Sequence, residues 1–229
     1  MASLDLQESS VYAVNMTDQR ERILARACDL YLSDGLDGFS MRKLAREVGV
    51  TAPAIYRHYD GREEVLADVL REAHRTFSSY LYAALGEPTQ LDRFVGAGEG
   101  FLNFVIDHPR WYGIMRTAPE HLGMDALPDD IEAMRSAIHQ FWVDRVRECM
   151  DAGILKQGDP EGTSITMWAH AHGMVQLFHE GGLPMQEDEF RALFKASGAR
   201  LMAGVATDDF VHSLEGAALD GAEMGLKTG

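Results

Sequence analysis

Between Ser40 and Tyr59 lies a run of residues with the chemistry to grip a polyanion. Over residues 40–62, Arg42, Lys43, Arg46, Arg57 and Arg62 are opposed only by Glu47 and Asp60, a local charge of +3 on a chain whose net charge is −15. Cationic side chains at this density neutralise phosphates and release their counterions. Among them stand Thr51, Tyr56 and His58, whose polar groups can bond phosphate oxygens or backbone. Thr51, Ala52 and Pro53 are small enough to meet base edges and thymine methyls.

The overall acidity does not exclude a nucleic-acid partner, because it is segregated. Residues 17–75 carry a net −1, whereas residues 76–229 carry −12. Other chemistries find less support. Among nine histidines, His172 and His179 share a helix face, with His139 and His170 as candidates to join them. No HxxxH or cysteine-rich cluster supplies convergent ligands, so no metal site is expected, though a metal-responsive sensor stays open as an alternative. Cys28 and Cys149 lie within apparent helices among apolar residues, which fits buried small hydrophobes in a reducing compartment. There is no nucleophile elbow, phosphate-cradling glycine loop or positioned Ser/His or Cys/His pair. The reading is a non-enzyme without a cofactor.

The elements that must position the basic run are helices. Thr17 reads as an N-cap, after which Ile23, Leu24, Ala27, Leu30 and Tyr31 recur at helical spacing up to Gly35, a suitable stop. Ser40 caps a short helix with Leu44, Ala45 and Val48 on its inner side, and Gly49 allows a sharp turn. Thr51 caps a third helix of about seven residues, with Pro53 in its first turn, where the missing N–H costs nothing. Ile55 and Tyr59 are its expected anchors, since so short a helix has little stability alone. A longer helix opens at Arg62-Glu63-Glu64 and runs to about Leu85. Helical periodicity continues through 94–105, a short helix from Pro109, 129–152 closed by Gly153, 159–180 and 187–205. No stretch alternates with period two. The fold class is all-α: a flexible arm over 1–16, an N-terminal three-helix helix-turn-helix domain over 17–63, a larger helical ligand-binding and dimerisation domain over 64–205, and a flexible tail over 206–229.

The segment SMRKLAREVGVTAPAIYRHYDGREEVL resembles the DNA-binding domain of the TetR family of bacterial transcriptional regulators, and the likeness spans about residues 17–75. A recognition helix of this kind enters the major groove N-terminus first, which puts Thr51, Ala52 and Pro53 against base edges. The resemblance implies phosphate contacts for Tyr56 and His58. Arg42 can reach a phosphate or a guanine edge, Arg57 extends the basic surface, and Arg62 stands where the family usually has a lysine. Trp168, His172 and Gly173 also match a Trp-x-x-x-His-Gly signature of one subgroup.

The resemblance further implies a double-stranded DNA operator, a homodimer paired through residues 159–205, and a small, largely apolar effector. Gly173, Gly181, Gly198 and Gly204 would allow close helix approach at the dimer surface. Phe101, Trp111, Met115, Phe141, Trp142, Trp168 and His172 are the expected pocket residues, with plain core packing as the competing role. The expected protein is a repressor released by its effector, with an activator of the same fold as the alternative. The first sixteen residues lack a basic side chain and no apolar run approaches a membrane helix, so a cytoplasmic protein is expected.

Overall fold

A computed structural model describes the backbone of residues 2–212 and the side chains of residues 19–212. All regular elements among these residues are helical: α1 (Ala2–Gly38), α2 (Met41–Val48), α3 (Ala52–Ile55), α4 (Arg62–Tyr82), α5 (Gln90–Asp107), α6 (Pro109–Met115), α7 (Asp129–Asp151), α8 (Pro160–His179) and α9 (Glu187–Val205). Single 3₁₀ turns follow α4 and α6, at Ala83–Gly86 and Pro119–Leu122. The expected arm is a correction: helix α1 starts at Ala2 rather than Thr17. Its first 33 residues contain neither glycine nor proline, so nothing breaks the helix before Gly35. Gly35 supplies the expected break, with φ 72° and ψ −169°, a backbone that a β-carbon would strain. The tail, expected to be flexible over 206–229, begins as a helical turn over 208–212, and its remainder lies outside the described residues.

The contacts divide the chain into two compact units, one of Met1–Ser79 with Phe104–Arg135 and one of Tyr80–Asn103 with Ser136–Gly229. This partition differs from a division after residue 63, because α4 buries its first turns with the helix-turn-helix. Val65, Leu66 and Val69 are wholly buried, as are Ile23 and Ala27 of α1, Leu44 of α2 and Ile55 of α3. Unit one also takes in α6. Tyr31 and Arg110 exchange bonds, the phenol donating to the Arg110 carbonyl at 3.2 Å and the guanidinium to the Tyr31 carbonyl at 3.3 Å. Arg71 fixes the start of α7 by gripping Asp130 while also bonding Asp68 on its own helix.

In unit two, Asp159 caps α8 by accepting from the amides of Glu161 and Gly162, and Gln186 with Glu189 forms a capping box on α9. The two helices are joined by Phe178 stacked on Phe190 at 4.1 Å and 7°. A core of Val146, Cys149, Met150 and Leu155 closes the end of α7. Gly153 ends that helix at φ 71°, as expected. Both cysteines are unpaired and buried; burial pushes the Cys28 thiol up to about 12 and the Cys149 thiol up to about 11. Such thiols stay protonated and inert at neutral pH.

Candidate nucleic-acid interface and ligand cavity

The helix-turn-helix is assembled by local chemistry. Ser40 is extended (φ −145°, ψ 148°) and its hydroxyl accepts from the Lys43 amide at 3.3 Å. Gly49 adopts the left-handed conformation (φ 79°, ψ 31°), and its N–H and that of Val50 return to the last carbonyls of α2. Thr51 then starts α3, but its hydroxyl makes no capping bond, which corrects its expected role as a side-chain cap. The hydroxyl is therefore left for an outside partner. Helix α3 is also shorter than expected, four residues followed by a turn through His58. Asp60 and Gly61 then redirect the chain, and Glu64 receives the Asp60 amide at 2.6 Å.

What holds so short a helix is burial at one side and a clamp at its end. Ile55 is wholly inaccessible and Tyr59 nearly so. Arg20 of α1 donates to the His58 carbonyl at 2.6 Å and to both Glu64 and Asp68 at 2.9 Å, with its guanidinium 4.2 Å from the centre of the Tyr59 ring. Burial, reinforced by the Asp68 charge, pushes the Tyr59 phenol well above its ordinary range. Sequence reasoning missed Arg20. Its signal was present in Glu64 and Asp68, two carboxylates one turn apart that demand a cation.

The remaining site residues point outward. Arg42, Thr51, Pro53, Tyr56 and Arg57 are exposed, and Ala52 and His58 are half-buried. Tyr56 leaves 51% of its surface accessible, unusual for an aromatic side chain on so small a helical domain. Arg42 and Arg57 have no ion-pair partner among the described residues, whereas Lys43 is paired with Asp34 and Arg46 with Glu47. Arg62 is committed inward: it donates to the Leu36 carbonyl at 3.2 Å and lies 5.9 Å from the Phe39 ring centre. Its first task is therefore to tie α4 to the link between α1 and α2.

Unit two bears a cavity of about 110 Å³, partly open to solvent and lined by residues of α5, α7, α8 and α9. Three of the expected pocket residues, Phe101, Trp142 and Trp168, line it, together with Phe94, Phe194 and Met202. The other four are placed elsewhere. Trp111 and Met115 belong to unit one, where Trp111 is buried and stacked 6.1 Å from Tyr31. Phe141 is buried against Tyr82 and under the Arg145 guanidinium. His172 sits behind the wall, against the rings of Phe101 and Trp168 at 5.1 and 4.4 Å. His170 and Ser164, which sequence reasoning did not assign to a pocket, line it instead.

Helices α8 and α9 also bear an apolar face open to solvent. Ile165, Trp168 and Leu177 are each about half exposed, at 47%, 50% and 49%. On α9, Ala192, Ala196, Ala199 and Ala203 form an exposed stripe at helical spacing. Of the expected glycines, Gly181 falls past the end of α8 and Gly198 lines the cavity, leaving Gly173 and Gly204 exposed on the helices themselves. Among the described residues no three His, Cys, Asp or Glu side chains converge as a metal would require. His139 lies 3.6 Å from Glu161 instead. Among the same residues, no helix is long and apolar enough to cross a membrane.

Comparison with known proteins agrees with this architecture. A family profile described as "Bacterial regulatory proteins, tetR family" matches residues 23–69, and one described as "Tetracyclin repressor-like, C-terminal domain" matches residues 94–201. The chain belongs to the TetR family. It is 37% identical over 60 residues to the tetracycline repressor protein class C of Escherichia coli, an alignment covering 26% of this chain and 27% of that one. The chain spans less than half the length of the first curated relatives it matches, between 27% and 43%. Among solved structures, a Rhodococcus sp. RHA1 protein of unknown function superposes with a TM-score of 0.71 at 24% identity, over 82% of this chain and 96% of that one. AibR, solved in complex with isovaleryl coenzyme A and operator DNA, superposes with a TM-score of 0.58 at 15% identity, over 80% of this chain and 98% of that one.

Proposed function

We propose that this protein is a ligand-responsive transcriptional regulator that binds a palindromic operator as a homodimer and, acting as a repressor, is released by a small, largely apolar effector in the cytoplasm. The observation that carries the reading is the outward set Arg42, Thr51, Pro53, Tyr56 and Arg57 on a rigid helix-turn-helix. These side chains are exposed, and the two arginines are unpaired among the described residues on a chain that is acidic elsewhere. Thr51, Ala52 and Pro53 meet base edges. Tyr56, His58, Arg42 and Arg57 hold phosphates, while Arg62 acts from behind the interface.

The exposed apolar face of α8 and α9 is the dimer surface in this reading. A dimer is needed because two recognition helices must reach successive major grooves about 34–36 Å apart. Trp168, His172 and Gly173 keep the spacing of the Trp-His-Gly subgroup. The effector occupies the cavity, and the chain passes between the two units within α4, so a shift of that helix changes the spacing of the recognition helices. A differential affinity of about a hundredfold, roughly 2.7 kcal/mol, suffices for a useful switch. AibR, whose structure holds both an effector and an operator, supports the pairing of these activities on one fold.

The test is a gel-shift titration with the double-stranded DNA that lies immediately upstream of the protein's own gene. Binding should weaken on the order of a thousandfold between about 50 and 200 mM salt. Absent or salt-independent binding would overturn the reading. Tyr56→Ala should lower affinity for all duplexes alike by about tenfold, without changing the salt slope, since it removes an uncharged phosphate contact. Pro53→Ala should instead reorder the preference among duplexes. The reverse pattern would refute the division of roles between these two residues.

A further inference from the structure

One side chain of α1 joins the end of the recognition turn to the start of α4. The Arg20 guanidinium donates through Nη1 to the His58 carbonyl at 2.6 Å, and through Nη2 to Glu64 Oε1 and Asp68 Oδ2, each at 2.9 Å. Both carboxylates carry the connection further. Glu64 takes the Asp60 amide on its second oxygen at 2.6 Å, which ties in the link between α3 and α4. Asp68 takes Arg71 Nη1 on its second oxygen at 2.6 Å, and Arg71 in turn holds both oxygens of Asp130, at 2.5 and 2.9 Å, where α7 begins.

The result is an unbroken run of charge-assisted bonds from α7 through α4 and α1 to the recognition turn. It differs from an ordinary surface ion pair. Isolated exposed pairs contribute little, because water screens them and their long side chains lose rotamer freedom. Here the Asp68 and Arg71 side chains keep only 14% and 21% of their surface exposed, and each is bonded from two sides. Farther along α7, Trp142 and Val146 line the cavity.

We propose that Arg20 is the positioning residue of the DNA-reading turn, and that Asp68, Arg71 and Asp130 set Arg20, so that the pose of the turn is held from α7 as well as from α4. This rests on the reading of the protein as a DNA-binding regulator. Arg20 acts through the His58 backbone, and so on the outward side chains of Tyr56, Arg57 and His58; it holds no phosphate itself. The helix that lines the cavity thereby bears on the surface that meets DNA.

The experiment compares the full chain with Arg20→Met, Asp130→Asn and the double variant, by gel shift on the upstream duplex and by hydrogen–deuterium exchange. Arg20→Met should raise Kd about tenfold on every duplex with the salt slope unchanged, whereas loss of a phosphate contact would lower that slope by about one per protomer. Asp130→Asn should raise Kd about threefold alone and add nothing to Arg20→Met, because the run is then already cut. Exchange separates positioning from plain stability. In Arg20→Met the His58 and Tyr59 amides should exchange at least about tenfold faster than those of Val69 and Leu70, with which they open in the parent. An unchanged Kd in Arg20→Met, a lowered salt slope, additive losses in the double variant, or equal acceleration of all four amides would overturn the proposal. A parent that binds no duplex would refute the regulator reading instead, and the exchange pattern alone would then uphold or refute Arg20 as the clamp of the turn.

Discussion

Gly100→Ala should lower the stability of the protein by about 3 kcal/mol, a fall in Tm of roughly 6–12 °C for a chain of this size. Gly100 lies buried in α5 where that helix crosses the end of α4. A β-carbon there would run into the Tyr80 carbonyl oxygen and stand 3.1 Å from its carbon. The obstacle is backbone, inside a helix whose neighbouring Leu81 is wholly buried, so it cannot rotate aside as a side chain would. The strain is relieved only by moving one helix off the other. Gly98, two residues earlier, provides the control: a β-carbon there meets nothing within 4 Å. Gly98→Ala should therefore be neutral or stabilising by up to about 1 kcal/mol, the ordinary helix preference of alanine. Chemical denaturation of the two variants checks the pair. Equal effects would mean that the α4–α5 contact is looser than the structure has it.

Acidification should expose a second weak point, at His74. This α4 side chain is 3% exposed, and neither ring nitrogen has a hydrogen-bond partner. Burial, with the Arg135 charge adding to it, pushes the imidazole down from 6.5 to about 4. The folded state therefore binds a proton less readily than the unfolded state. The stabilisation from keeping His74 neutral is complete above the unfolded value and is lost as the pH falls through the window from 6.5 to 4. Between pH 7.5 and 5 the loss amounts to about 2 kcal/mol. Many carboxylates titrate nearby, so the informative quantity is the difference from His74→Leu, which cannot take up the proton. That variant should gain about 2 kcal/mol relative to the parent over the same interval in urea unfolding. A difference that does not change with pH would show that His74 is solvated or partnered in solution.

Much of the fold was legible because its signals are local. Ser40, Gly49, Gly35 and Gly153 each act through the backbone within a turn of themselves, and all four hold the positions their chemistry dictates. The start of α1 was not legible, because a helix can begin wherever nothing forbids it, and a cap at Thr17 is only one permitted start. The site was harder where its meaning depended on distant partners. Arg62 reads as a free cation until the Leu36 carbonyl, 26 residues away, is seen to accept from it. Trp111 and Trp142 look alike in sequence, since each is an aromatic residue at helical spacing among apolar neighbours. Only the packing shows that one ring stacks on Tyr31 and the other lines a cavity.

The four-residue α3 has a consequence for motion. A helix of one turn has no cooperativity of its own, so α3 can exist only as part of the α1–α4 framework that buries Ile55 and clamps the His58 carbonyl through Arg20. It should form one unfolding unit with that framework. The amides of His58 and Tyr59, both bonded to the Ile55 carbonyl, should exchange with deuterium only when the start of α4 opens as well. The recognition surface then has no soft joint of its own. Any displacement at the start of α4 is handed to it undiminished, as the blade of a key turns with its bow.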